Sequence, residues 1–224
     1  MPQWTWAFNI VTLSQLLRTQ PFFLTSASSP AEENNVAGDT APELAVDISA
    51  VSVFDLVLAA PFKGLSQIFV VESALSGLGV AAAIGSYSPT LALHAVMGST
   101  IGSWTGLLCG PPAADVAAGL WGFNSALTSM GIAVFMVYST PDKTLSNEAS
   151  TDDKGLLAFS AGGAIASACT FGALQKVFGT ALGAPCLTLP FCITMSGCYF
   201  LAGRLPGLAL AESPHSPEQN KPRS

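Results

Sequence analysis

Long runs without a single charged side chain constrain this chain more than any other feature. No Asp, Glu, Lys or Arg occurs in residues 73–114, 116–141, 155–175 or 177–203. Crossing about 30 Å of hydrocarbon takes roughly 20 apolar residues in a helix, so these runs suffice for four or five crossings. Half of the 224 residues are hydrophobic and a tenth are charged, with mean hydropathy +0.51. Soluble domains carry about 25% charged residues. A surface this poor in charge has to face lipid, where every backbone amide needs an internal partner, which leaves helices or closed barrels. A barrel would show segments of about 10 residues alternating in polarity, and the sequence has none. The 21 glycines, mixed with Ala and Ser through the apolar runs, suit helices packed backbone to backbone. The expectation is an all-α polytopic membrane protein.

Other classes fall away. The net charge of −6 offers no basic face for nucleic acid. Cys109, Cys169, Cys186, Cys192 and Cys198 all sit in apolar surroundings with no CxxC pair, and read as small hydrophobes rather than a metal or disulfide framework. No Asp, His, Cys or Ser cluster has catalytic spacing, so neither an enzyme nor a cofactor is expected. Met1–Trp6 lacks a basic stretch and no cleavage site follows, which argues against a signal peptide.

Four regions follow in order. Residues 1–25 form a first apolar helix, with Trp4, Trp6, Phe22 and Phe23 placed as interfacial aromatics. Residues 26–50 form an acidic polar connector, expected on the non-cytoplasmic side because Ser26–Asp47 has five acids and no Lys or Arg. Residues 51–205 are the membrane domain. Within it, 48–71 reads as an amphipathic lead-in and a re-entrant segment, followed by spans near 75–87, 89–109, 116–138, 156–179 and 186–203. Ser139–Asp153 reads as a solvated loop, and residues 206–224 have the composition of a disordered tail.

A small repeat links the two ends of the chain. Thr5-Trp-Ala-Phe-Asn-Ile-Val11 reappears as Thr188-Leu-Pro-Phe-Cys-Ile-Thr194 at a constant offset of 183 residues. Duplicated helical segments are a mark of transporters built from inverted repeats. Thr5 and Thr188 are therefore expected to face one another near the middle of the membrane.

The most informative motif is Gly119-Leu-Trp-Gly-Phe-Asn-Ser-Ala-Leu127. Glycines allow close backbone approach, the aromatics give flat walls, and Asn124 needs hydrogen-bond partners wherever water is excluded. This stretch resembles the signature of urea transporters. Leu91–Gly102 (LALHAVMGSTIG) is similar to that family's CLHAAIGSTMG segment, Thr188–Thr194 to its TLPFN or TWPFC segment, and the stretch around Gly64–Phe69 to its GIGQV re-entrant segment. The resemblance covers residues 51–205, in order. Phe8-Asn9-Ile10 matches the first-half copy of the TLPFN segment. Where the family has Asn-Pro-x-Thr-Gly, this chain has Ser73-Ala74-Leu75-Ser76-Gly77, losing the Asn-Pro turn.

The resemblance implies one half of an inverted-repeat urea-transporter fold with a re-entrant pore helix, preceded by the last helix of the other half. It implies facilitative, channel-like passage of urea through a multi-pass plasma-membrane protein. Urea would slide flat between aromatic faces while its N–H groups donate to a ladder of oxygens. Carried over by motif, Gln67 stands at the re-entrant segment, Phe123 is a slot wall and Leu127 an apolar constriction. Thr188 supplies a mid-pore hydroxyl, with Thr5 its counterpart. Core packing for Phe123 and Leu127, bracing for Gln67, and a bond from Thr188 back to its own helix are the alternatives. His94 reads as a buried structural donor, Trp121 as packing, Asp115 as a helix-start residue and Glu72 as lying near a pore mouth. The partners implied are urea, the lipid bilayer, and either further copies or a full-length urea transporter. The competing function is a truncated, non-conducting subunit that associates with such a transporter.

Overall fold

A computed structural model describes residues 6–7, 9–14, 51–139 and 153–220. Thr5, the 26–50 connector and most of the 139–153 loop lie outside the described residues. Residues 6–7 and 9–14 are helical. The helical bundle opens with a π-helical turn, Asp55–Ala59, running into α1, Ala60–Gln67. Pro61 in the first turn of α1 gives up an N–H that would have little use there.

Helix α2, Ala74–Tyr87, starts at Ser73, whose hydroxyl accepts from Ser76 N at 3.2 Å. Ser88 ends it and also caps α3, Pro89–Cys109, accepting from Leu91 N at 3.0 Å. Each cap satisfies an N–H that the helix itself cannot pair. Gly110, at φ +70°, closes α3 ahead of Pro111-Pro112, the expected order of a helix stop.

The sequence suggests one span over 116–138, but the structure breaks it. Helix α4, Ala113–Ala117, stops in a turn through Gly119 at φ +84°, and α5 runs from Phe123 to Phe135. Helix α6, Asp153–Val177, continues through a π-helical turn, Phe178–Leu182, and α7 covers Leu189–Leu201. Residues Lys154–Ala181 form the one helix among the described residues with the length, 28 residues, and mean hydropathy, 1.5, to cross a membrane.

Close packing joins α3 to α5. A Cβ on Gly98 would lie 2.5 Å from Ser129 Oγ, and one on Gly102 2.5 Å from the Trp121 carbonyl. Only glycine fits such a seam, which is how small residues bring membrane helices together. Large apolar side chains point outward instead: Leu75, Leu108, Ile165 and Phe200 are all exposed, as a lipid-facing surface requires.

The segment read as a disordered tail is built into the fold. Strand β1, Met136–Tyr138, pairs antiparallel with β2, Leu208–Leu210, with Val137 opposite Ala209. Beyond β2 a 3-10 turn, Pro217–Gln219, brings Glu218 to the start of α3. The Ser88 hydroxyl lies 2.8 Å from both Glu218 carboxylate oxygens, and Thr90 N donates to one of them at 3.0 Å. Asn220 Nδ2 donates to the carbonyls of Ala133 and Val134 at 3.2 and 2.8 Å. These are carbonyls that the end of α5 leaves open. Residues 206–220 thus strap one end of the bundle together.

Candidate functional site

Three departures from regular backbone meet at the opposite end. Just past α1, Val70 has φ +59°, an unusual conformation for a β-branched residue. Ser66 closes this turn: its hydroxyl lies 2.9 Å from Lys63 O and 2.6 Å from Val71 O, and accepts from Ser73 N. The turn leaves Gln67 aimed sideways, and its Nε2 donates to Ala118 O at 2.9 Å.

Ala118 begins the second break. At Gly119 a Cβ would lie 2.5 Å from Gly64 N and 2.6 Å from Lys63 C, so α1 and the α4–α5 turn touch through backbone. The third break is Leu187, at φ +52° just before α7. Its carbonyl accepts from Asn124 Nδ2 at 3.1 Å, while Asn124 Oδ1 accepts from Phe191 N at 3.2 Å. Asn124 is fully buried, and each end of its amide is occupied, as its burial demands. The signature motif therefore places a backbone turn at Gly119 and a side-chain clamp at Asn124.

Between these breaks lies a cavity of about 330 Å³, whose lining includes Gln67, Leu120, Phe123, Phe171, Gln175 and Thr188. The wall is aromatic. Phe123 meets Phe171 edge to face, with ring centres 6.0 Å apart at 79°, and Phe171 meets Trp121 at 5.3 Å and 78°. Thr188 Oγ1 accepts from Asn9 Nδ2 at 3.0 Å. Asn9 Nδ2 also lies 3.5 Å from Cys192 Sγ. Asn9 and Cys192 are separated by the same 183 residues that relate the two repeat copies, so equivalent positions of the copies are in contact.

Of the residues singled out in the sequence, Gln67, Phe123 and Thr188 come together in this cavity. Leu127, one turn beyond Phe123, is not among its lining residues. It packs with Trp6 against the cluster of Ile132, Phe191 and Met195. Thr5 lies outside the described residues, so its expected meeting with Thr188 has no geometry here. His94 is buried and its Nδ1 lies 2.8 Å from Ser160 Oγ. Trp121 is buried against Phe171, Asp115 stands in the first turn of α4, and Glu72 pairs with Lys63 at 3.5 Å. Sequence reasoning missed Phe171, Gln175 and Asn9. Only Asn9 carried a signal, through its place in the repeat.

Comparison with known proteins bears on the whole arrangement. A family model for the urea transporter matches residues 1–203. Urea transporter 1 of Ovis aries is 30% identical over 197 residues, covering 86% of this chain and 45% of that protein, and the Capra hircus protein of the same name gives the same figures. Urea transporter 1 of Rattus norvegicus is 37% identical over 84 residues, covering 38% of this chain and 22% of the relative. The chain spans about half the length or less of the curated relatives it matches. With a matching model over nearly its entire length, the chain belongs to the urea transporter family.

Proposed function

We infer that this chain supplies one wall of a facilitative, channel-like path for urea, as a multi-pass protein of the plasma membrane. One observation carries the reading: Gln67, Phe123 and Thr188 border a single cavity at the junction of three helix breaks. Irregular backbone at membrane depth is tolerated where it lines a cavity or is buried in protein, and transporters place their sites at such discontinuities. Urea is planar, neutral and polar. Flat aromatic walls limit its thickness, and fixed oxygens replace the water that its N–H groups lose. Leu127 extends the wall as an apolar constriction beyond the cavity, and Thr5 stands as the counterpart of Thr188 in the other repeat copy.

A second reading is that the chain works beside a full-length relative. The aligned residues amount to 45% of the relative in Ovis aries. On this reading the opposing re-entrant helix and aromatic slot come from another polypeptide. Polar groups around the cavity would face lipid at a cost of several kcal/mol for each one unsatisfied. A second chain covers that face. Charge bias inserts identical chains the same way round, so a full-length relative fits better than an inverted copy. On this reading the chain is a subunit that does not conduct alone.

The test is urea flux into proteoliposomes that hold only this chain, with Phe123→Ala and Thr188→Val as controls. Flux no higher than in protein-free vesicles is expected. Saturable flux abolished by both substitutions would show that one half of the architecture suffices. For the wall itself, a cysteine at position 123 is expected to react more slowly with a water-soluble thiol reagent when urea is present. Equal rates with and without urea would overturn the site.

A further inference from the structure

The geometry points to Gln175 as a second amide of the cavity, donating to the carbonyl oxygen of a planar amide solute while Gln67 accepts from the solute's N–H groups. The inference rests on the urea-path reading above and assigns each end of the solute a partner.

Gln67 and Gln175 border the same cavity, and each is pinned by the opposite end of its amide. Gln67 uses its NH₂ on Ala118 O at 2.9 Å, so its carbonyl oxygen is the end left for a ligand. Gln175 lies near the end of α6, and its Oε1 accepts from Cys186 Sγ at 3.6 Å. Cys186 is fully buried, and a thiol hydrogen donates, so the oxygen turns toward sulfur and the NH₂ is left for the cavity. An amide has two donors and one carbonyl acceptor. Pinning opposite ends of two such groups leaves the Gln67 oxygen and the Gln175 NH₂ as the ends with full capacity for a ligand. Gln175 also borders a neighbouring cavity of about 500 Å³ with Asp115, Trp121 and Lys176, so packing does not seal it away.

This pairing defines a solute class. Urea, formamide and acetamide each offer N–H donors and a carbonyl acceptor, and satisfy both glutamines together. Guanidinium offers donors alone, which leaves the Gln175 NH₂ without a partner. A site built to bond a polar group discriminates against analogues lacking it, because its own group is then left unpaired.

The experiment uses the whole chain in lipid nanodiscs with ¹⁵N-labelled glutamine, titrated with urea, with side-chain NH₂ signals followed by NMR. The Gln67 and Gln175 signals are expected to move with one midpoint, while that of Gln219, in the strap at the other end, stays still. Gln175→Leu is expected to weaken the binding seen at Gln67 roughly 3- to 10-fold, the scale of one lost hydrogen bond. Gln175→Glu, which keeps an oxygen toward Cys186 and removes the donor, is expected to weaken it as much. Guanidinium should leave the Gln175 signal in place. A still Gln175 signal beside a moving Gln67 signal, or an unchanged midpoint in Gln175→Leu, overturns the inference and leaves the cavity reading standing. If neither signal moves with urea, both fall.

Discussion

The two ends of the helix bundle solve the same problem in opposite ways. Each has helix termini whose carbonyl and amide groups lack intrahelical partners. At the strapped end, a backbone ladder between β1 and β2 and the side chains of Glu218 and Asn220 take up those groups. At the cavity end, single amides reach across breaks in the chain: Gln67 to Ala118 O, and Asn124 to Leu187 O and Phe191 N. A ladder shares the work among many bonds, so the loss of one is tolerated. A lone bridging amide has no substitute where water is scarce. The contrast teaches that an end built from single bridges leaves room for a cavity and is correspondingly fragile.

The sharpest way to break the contrast is at Gly119. Its φ of +84° disfavours any side chain, and a Cβ would meet the backbone of Gly64 and Lys63. Gly119→Ala is expected to destabilise the fold by about 3 kcal/mol or more, combining left-handed strain with an overpacked backbone contact. Thermal unfolding in detergent measures it.

Asn124→Leu comes next. It preserves the volume and strands Leu187 O and Phe191 N, two groups whose desolvation costs about 1–3 kcal/mol each. A loss of roughly 3 kcal/mol is expected, with amide exchange rising first at Phe191. A Leu variant as stable as the parent would mean that the bridge is dispensable and the contrast false.

Thr188→Val keeps the shape and removes a hydroxyl that both accepts from Asn9 Nδ2 and donates to Asn9 Oδ1. About 1–2 kcal/mol is expected, since Asn9 Nδ2 retains Cys192 as a partner. Thermal unfolding beside the parent reads it.

The smallest effect belongs to the strap. Modest burial works against ionisation of Glu218, but hydrogen bonds from its own backbone and from Ser88 and Thr90 outweigh it and lower its pKa from 4.5 to about 2. A depressed carboxylate pKa contributes stability above the unfolded value, which is lost as pH falls through the folded one. Amide protection at Thr90 and Leu91 is therefore expected to decline from about pH 4.5 to about pH 2. Glu218→Gln should start from the lower protection and show no such decline.

How much of this could be read beforehand depends on what each feature leaves in the sequence. Charge-free runs announce helices because lipid forbids charge along the whole length of a span. The signature around Phe123 announced the cavity because its glycines and Asn124 are anomalous in an apolar stretch. The break at Gly119 stayed hidden, since a glycine that turns the chain and one that packs a helix are the same letter. Phe171 and Gln175 enter the site only by folding, from a helix about 50 residues beyond Phe123. The strap was misread because composition averages over a segment. Residues Glu212–Ser224 are polar and proline-rich, yet two side chains, Glu218 and Asn220, find partners at helix ends and fix the path.

The contact between Asn9 and Cys192 has one more consequence. A position that meets its own counterpart across a dyad is, in an assembly of identical chains, obliged to suit itself, and every substitution there is made twice. Two asparagines or two cysteines would have to mirror one another at this point. Here an amide faces a sulfur, a match of unlike groups available only when both copies are written separately into one polypeptide.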